Sequence, residues 1–185
     1  MDKANTSRIN PLGGALDGTT TVPGDKSISH RAVLFSAMAQ GTSRLTGVLD
    51  SADVRASIAA VKALGAEVSM ERQIDGSLAG GITGWGEKGP RQPEAPIDCA
   101  NSGTTARLLM GILAPWDIRV EITGDESLIK RPMRRIIAPL MKMGVRFEPD
   151  AKENLPITEI GNPSLKAITY DSPMASAQLK TAVLL

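Results

Sequence analysis

Residues 22–39 read VPGDKSISHRAVLFSAMA, a polar turn that runs without a break into an apolar helix. Pro23-Gly24-Asp25 makes the turn, and Lys26, Ser27, Ser29, His30 and Arg31 stand at the helix start. The apolar run Ala32 to Ala39 follows, and Gln40-Gly41 is a glycine stop signal. A helix N-terminus carries unpaired N–H groups and a partial positive charge. Two cations and two hydroxyls at such a point suit an anion, phosphate above all. An ordinary serine cap, with Lys26 and Arg31 solvated, is the competing reading.

The pattern returns further along the chain. After the first helix, Ser43 to Leu49 reads as a strand, Asp50 and Asp53 as caps of a second helix ending at Gly65, and Ala66 to Met70 as a strand. Residues 71–96 are rich in glycine and proline and predict short strands and turns, with Trp85 over a sheet edge. Then Asp98 to Thr105 is again a polar turn, Ala106 to Ala114 an apolar helix and Ile118 to Thr123 a strand. Pro132 is expected to open the next helix, which ends at Gly144. Arg107 falls 76 residues after Arg31, Gly124 falls 77 after Gly47, and Gly144 falls 79 after Gly65. A third copy starts near Asp171 with SPMASAQLKTAVLL, where Lys180 lies 73 residues after Arg107. Such spacing marks an internal repeat. The expected fold class is α/β (α+β), in βαβαββ units of about 21–96, 97–165 and 166–185, the last unfinished at Leu185. An unfinished unit is expected to leave Leu179, Val183, Leu184 and Leu185 exposed. Ahead of Val22, Gly13 to Leu16 and Thr19 to Val22 are expected to be short strands around Asp17-Gly18.

Composition narrows the chemistry. Net charge is +1 and aromatic residues are 3%, so no strong field or stacking platform selects nucleic acid. No apolar run approaches the roughly 20 residues of a membrane span, and the first ten residues lack a signal-peptide core, which predicts a cytoplasmic protein. Cys99 and His30 stand alone in their types, too few for a structural zinc. Cys99 reads as a small buried residue, and His30 as a substrate contact or a packing residue. If the units pack symmetrically, three helix starts converge: Lys26-Ser27 with Arg31, Asn101-Ser102-Gly103-Thr104, and Ser176-Ala177-Gln178, with Lys130 and Arg131 nearby. That set suits a small polyanion.

With these residues in hand a resemblance becomes specific. PGDKSISHRAVLFSAMAQG, NSGTTARLLMGILA, GDESLIKRPMRRIIAPLMKMG and SPMASAQLKTAVLL, in this order from about Gly13 to Leu185, resemble the 5-enolpyruvylshikimate-3-phosphate synthases, in the bacterial form with alanine before the glutamine. The resemblance implies transfer of the enolpyruvyl group of phosphoenolpyruvate to the 5-hydroxyl of shikimate 3-phosphate, with release of phosphate, in aromatic amino-acid biosynthesis. It implies no metal and no organic cofactor, and a full enzyme that is a monomer. By the family pattern Lys26 touches both substrates and is the catalytic cation. Ser27, Arg31, Ser176, Ala177 and Gln178 hold shikimate 3-phosphate. Gly103 and Arg131, with Gln178 shared, hold phosphoenolpyruvate. The herbicide glyphosate occupies the phosphoenolpyruvate position in this family, where an alanine in place of Gly103 crowds it.

The family fold has two domains of three such units each, so residues 1–20 are expected to belong to the other domain and 21–185 to an incomplete repeat domain. The main acid/base carboxylates are expected beyond Leu185, which predicts a chain inactive alone. Two other readings compete. A related transferase acting on a UDP-sugar would lack the Asp25-Lys26-Ser27-x-Ser29-x-Arg31 pattern and carry a reactive loop cysteine. A non-catalytic anion-binding fragment would tolerate replacement of Lys26, Arg31 and Arg131.

Overall fold

In the computed structural model, residues 17–149 and 153–185 are described. Helix α1 spans Lys26–Met38, and the Asp25 carboxylate caps it by accepting from the Ile28 N–H at 2.8 Å. Strand β1, Gln40–Val48, leads to α2, Ala52–Ala63, and then to β2, Glu67–Arg72, and β3, Leu78–Trp85. The second unit begins with the short β4, Ile97–Asp98, and α3, Gly103–Leu113. It continues with β5, Arg119–Thr123, α4, Arg134–Met143, β6, Arg146–Glu148, and β7, Ile157–Ile160. Helix α5, Ala177–Leu184, repeats the entry of α1 and α3.

The sheets carry the signature of the repeat. In the first, the order is β1-β3-β2, antiparallel throughout. In the second, β5-β7-β6 reproduces that order and β4 adds itself parallel to β5. Among the described residues no ladder joins the two sheets, and the helices tie the units together. Helix α3 is their centre: Thr104 is its one residue that is not buried. A helix apolar on every side belongs inside, and ARLLMGILA is such a run. Helix α5 packs closely on α3, since a Cβ on Gly111 would lie 2.2 Å from the Ala182 carbonyl oxygen.

Several expectations need correction. Thr19 to Val22 is not a strand: it is exposed, and Pro23 has no N–H to give a ladder. The segment instead approaches the end of β1 through Gly24, where a Cβ would sit 2.1 Å from the Gly47 carbonyl oxygen. The strand expected at Gly13 to Leu16 lies outside the described residues. Helix α2 is capped by Ser51, whose hydroxyl accepts from the Val54 N–H at 3.3 Å. Asp50 instead takes a bidentate pair from Arg55, and Asp53 pairs with Lys26. Helix α4 starts two residues after Pro132, with Met133 at its N-cap. Of the four apolar residues expected to be exposed at the chain end, Leu184 is exposed, whereas Leu179 is buried and Val183 and Leu185 are half-buried. No helix among the described residues is long and apolar enough to cross a membrane.

Candidate anion site at three helix starts

The three first helices of the three units do converge. Ser27, Ile28 and Arg31 of α1, Thr104 of α3, and Ser176, Ala177 and Gln178 at the start of α5 line one cavity of about 510 Å³. The correspondence is positional. Ser27, Thr104 and Gln178 are each the second residue of their helix. The caps Asp25, Ser102 and Ser176 each accept the N–H of the third helical residue, Ile28, Thr105 and Leu179. Helix geometry leaves the N–H groups ahead of it without intrahelical partners, so three partial positive charges face one small volume. Arg31 closes the wall, with Nη1 donating to the Ser27 carbonyl at 3.2 Å and Nη2 to Thr181 Oγ1 at 3.0 Å.

A second cavity, of about 580 Å³, adjoins this wall. Arg107, Arg131, Arg134 and Arg135 line it, together with Tyr170 and Met174. Arg107 is buried and donates only to neutral oxygens: Gly103 O at 3.3 Å, Gln178 Oε1 at 3.2 Å and Pro132 O at 3.3 Å. Burial, with Arg135 and Arg131 close by, pushes it down to about 10, and it stays charged at neutral pH. Among the described residues no carboxylate lies within ion-pair distance of Arg31, Arg107, Arg131 or Arg135. Cations without a counter-charge at a cavity wall favour an anion there. Arg131 is held in place by a short chain. It donates to Asn101 Oδ1 at 2.6 Å, and Asn101 Nδ2 donates to Asp125 Oδ2 at 2.7 Å. The Asn101 bond, with the Leu128 and Ser127 amides, holds the Asp125 carboxyl below its usual range.

Behind the cavity runs a buried polar chain. Thr105 Oγ1 donates to Ser102 Oγ at 2.7 Å, so it accepts from Ser57 Oγ at 2.7 Å, and Ser57 in turn accepts from His30 Nδ1 at 2.8 Å. The chain ties α1, α2 and the cap of α3 together. It leaves His30 Nε2 buried without a partner, and burial pushes the imidazole down to about 4. Ser57→Ala should lower stability by about 2 kcal/mol, because it strands the buried His30 Nδ1–H and removes the bond that Thr105 Oγ1 accepts. Urea unfolding checks this, and an unchanged midpoint would show that the chain carries no stability.

Of the residues singled out in the sequence, Ser27, Arg31, Ser176, Ala177 and Gln178 share the first cavity, and Arg131 lines the second. Gly103 lies between them, where a Cβ would meet Arg107 Nη1 at 2.6 Å and Arg131 Nη1 at 3.6 Å. Lys26 lines neither cavity; its ammonium is paired with Asp53 of α2. His30 is a packing residue with no exposure. Cys99 is buried, and burial pushes its thiol up to about 12. Asn101 and Thr104 belong to the second of the three expected helix starts, and Thr104 lines the first cavity. Arg107, Arg135 and Asp125 were not singled out as site residues, although the repeat carried a signal for Arg107, which lies 76 residues after Arg31. Among the described residues no cluster of His, Cys, Asp or Glu is placed to hold a metal ion.

Comparison with known proteins agrees with the fold. A sequence model of the family described as EPSP synthase (3-phosphoshikimate 1-carboxyvinyltransferase) matches residues 12–185. A 3-phosphoshikimate 1-carboxyvinyltransferase of Xanthomonas campestris pv. campestris (strain B100) is 44% identical over 188 residues, which is 100% of this chain and 41% of the relative. The enzyme of that name from Parvibaculum lavamentivorans is 48% identical over 172 residues, 93% of this chain and 37% of the relative. A solved EPSP synthase from Acinetobacter baumannii superposes with a TM-score of 0.81 at 42% identity, over 90% of this chain and 37% of that one. The chain thus spans 41% or less of the length of these relatives. With a family match over nearly its whole length, and the repeat topology of a solved member, the chain belongs to the EPSP synthase family.

Proposed function

We propose that this chain binds shikimate 3-phosphate and phosphoenolpyruvate side by side, as one part of an enolpyruvyl transferase. The reaction adds the 5-hydroxyl oxygen to the middle carbon of phosphoenolpyruvate and a proton to its methylene. Loss of that proton and of phosphate then restores the double bond. The observation that carries the reading is the convergence of three helix starts, Arg31 and Gln178 on one cavity, beside the arginine cavity. Ser27, Arg31, Ser176, Ala177 and Gln178 hold shikimate 3-phosphate, with first-turn N–H groups taking the phosphate. Arg131, preset by Asn101, pairs with the anionic groups of phosphoenolpyruvate, and Gly103 leaves them room. Lys26 turns from Asp53 to the leaving phosphate and offsets its growing charge. The setting is cytoplasmic, no metal or organic cofactor takes part, and the whole enzyme is a monomer. Residues 21–185 belong to one repeat domain. The carboxylates that move protons lie in the remaining length of the relatives, so this chain alone binds without turning over.

Calorimetry tests this. Shikimate 3-phosphate should give saturable heat with the chain, and Arg31→Ala should weaken it by roughly tenfold or more, the loss of a charged hydrogen-bond donor. Arg131→Ala should weaken phosphoenolpyruvate by a similar factor and leave shikimate 3-phosphate unchanged. Absence of heat from shikimate 3-phosphate at millimolar concentration would sink the proposal.

A further inference from the structure

Gln178 lines the first cavity, and its carboxamide is held from three sides, two of them by arginines that line the second. Its Oε1 accepts from Arg107 Nη1 at 3.2 Å and from Arg135 Nη2 at 3.5 Å, while its Nε2 donates to Thr104 Oγ1 at 2.9 Å. An amide flipped end for end would set its NH₂ against two guanidiniums, so the cations fix which end faces which cavity. Arg107 keeps this position at a cost. Its side chain is buried, its Nε has no partner among the described residues, and no carboxylate balances it. Gly103 permits the arrangement, because a Cβ there would lie 2.6 Å from Arg107 Nη1.

We infer that Arg107, seconded by Arg135, is a positioning residue that orients the Gln178 carboxamide, so that its N–H side faces Thr104 in the first cavity and its oxygen faces the arginines of the second. Arg107 acts through Gln178 and does not itself contact the ligand of the first cavity, whose lining excludes it. Gly103 belongs to the same device: an alanine there moves the guanidinium and releases Gln178. The inference rests on the binding role proposed above for what Gln178 contacts, but the orientation of the amide does not.

Two measurements on the 185-residue chain test it. The first needs no ligand. In a ¹⁵N correlation spectrum, the Gln178 side-chain NH₂ is identified by its loss in Gln178→Ala. Its exchange with water should be at least roughly tenfold slower than that of the exposed Gln40, reflecting a held hydrogen bond. Arg107→Met and Gly103→Ala should abolish the difference, and Arg107→Lys should restore part of it. The second is a double-mutant cycle on shikimate 3-phosphate affinity. Arg107→Met and Gln178→Ala should each weaken binding by roughly tenfold, and the double variant no further than Gln178→Ala alone. Exchange at Gln178 that ignores Arg107, or losses that add in the cycle, would overturn the inference. If the unaltered chain binds no shikimate 3-phosphate, the functional proposal fails while the exchange experiment still decides this one.

Discussion

Replacing Glu159 by leucine is expected to stabilise the protein by about 1–3 kcal/mol, the cost of burying a carboxyl that has no hydrogen-bond partner. Glu159 sits on β7 opposite Val120 and Phe147, both buried. It is 1% exposed, and neither carboxyl oxygen has a hydrogen-bond partner among the described residues. Burial raises its carboxyl well above the ordinary 4.5, so the group stays protonated in the fold. The unfolded chain releases that proton above pH 4.5. Stability therefore falls by about 1.4 kcal/mol for each pH unit above that point, until the folded group ionises. His30 works the other way. It is held neutral with its imidazole at about 4 against an ordinary 6.5, so it contributes stability above 6.5 that is lost as pH falls toward 4. The two slopes oppose each other above pH 4.5, so the unaltered protein should gain less stability with rising pH than His30 alone would give. Glu159→Leu removes one slope, so the variant should gain stability up to pH 6.5 and stay level beyond it. Urea unfolding across pH 4.5–8 reads both profiles, and parallel curves would show that Glu159 is solvated or paired.

Gly111→Ala should strongly weaken binding in the helix-start cavity while both sheets remain folded. Local propensity argues the opposite, since alanine in a helix interior is better than glycine by about 1 kcal/mol. Packing decides the sign. The new Cβ would lie 2.2 Å from the Ala182 carbonyl oxygen and 2.7 Å from its Cα, backbone atoms that no rotamer change can move aside. Helix α5 must then retreat from α3 as a body. Its buried contacts, Leu179 and Ala182, are lost, and Ser176, Ala177 and Gln178 leave the cavity with it. Overpacking of this kind costs about 1–3 kcal/mol, enough to undock a helix of eight residues. Shikimate 3-phosphate affinity should drop by roughly a hundredfold, with far-ultraviolet circular dichroism nearly unchanged. Retained affinity would mean that α5 tolerates displacement without moving the site.

The architecture was legible because the chain states it more than once. Arg31 and Arg107, Gly47 and Gly124, and Gly65 and Gly144 recur at nearly constant offsets, and the two sheets follow with matching strand order. The convergence of the polar starts of α1, α3 and α5 was legible for the same reason. What stayed hidden depends on side chains that meet across units. Arg107 lies inside an apolar helix and reads as a repeat mark; only the approach of α5 brings Gln178 against it. Lys26 reads as a free cation, and its pairing with Asp53 needs the packing of α1 on α2. Glu159 sits in an alternating strand, ITEI, where one residue of slippage decides whether a carboxylate faces water or the core.

Because, among the described residues, Ser27, Thr104 and Gln178 come from three units that no shared sheet holds together, a ligand bound in their cavity would act as a reversible clasp on those units. Its binding energy would be added to docking of the units and withheld when any one of them swings away. Saturation with ligand should therefore fuse otherwise separable opening events into one cooperative unit, and the contacts that hold the ligand would also set how firmly the units stay together.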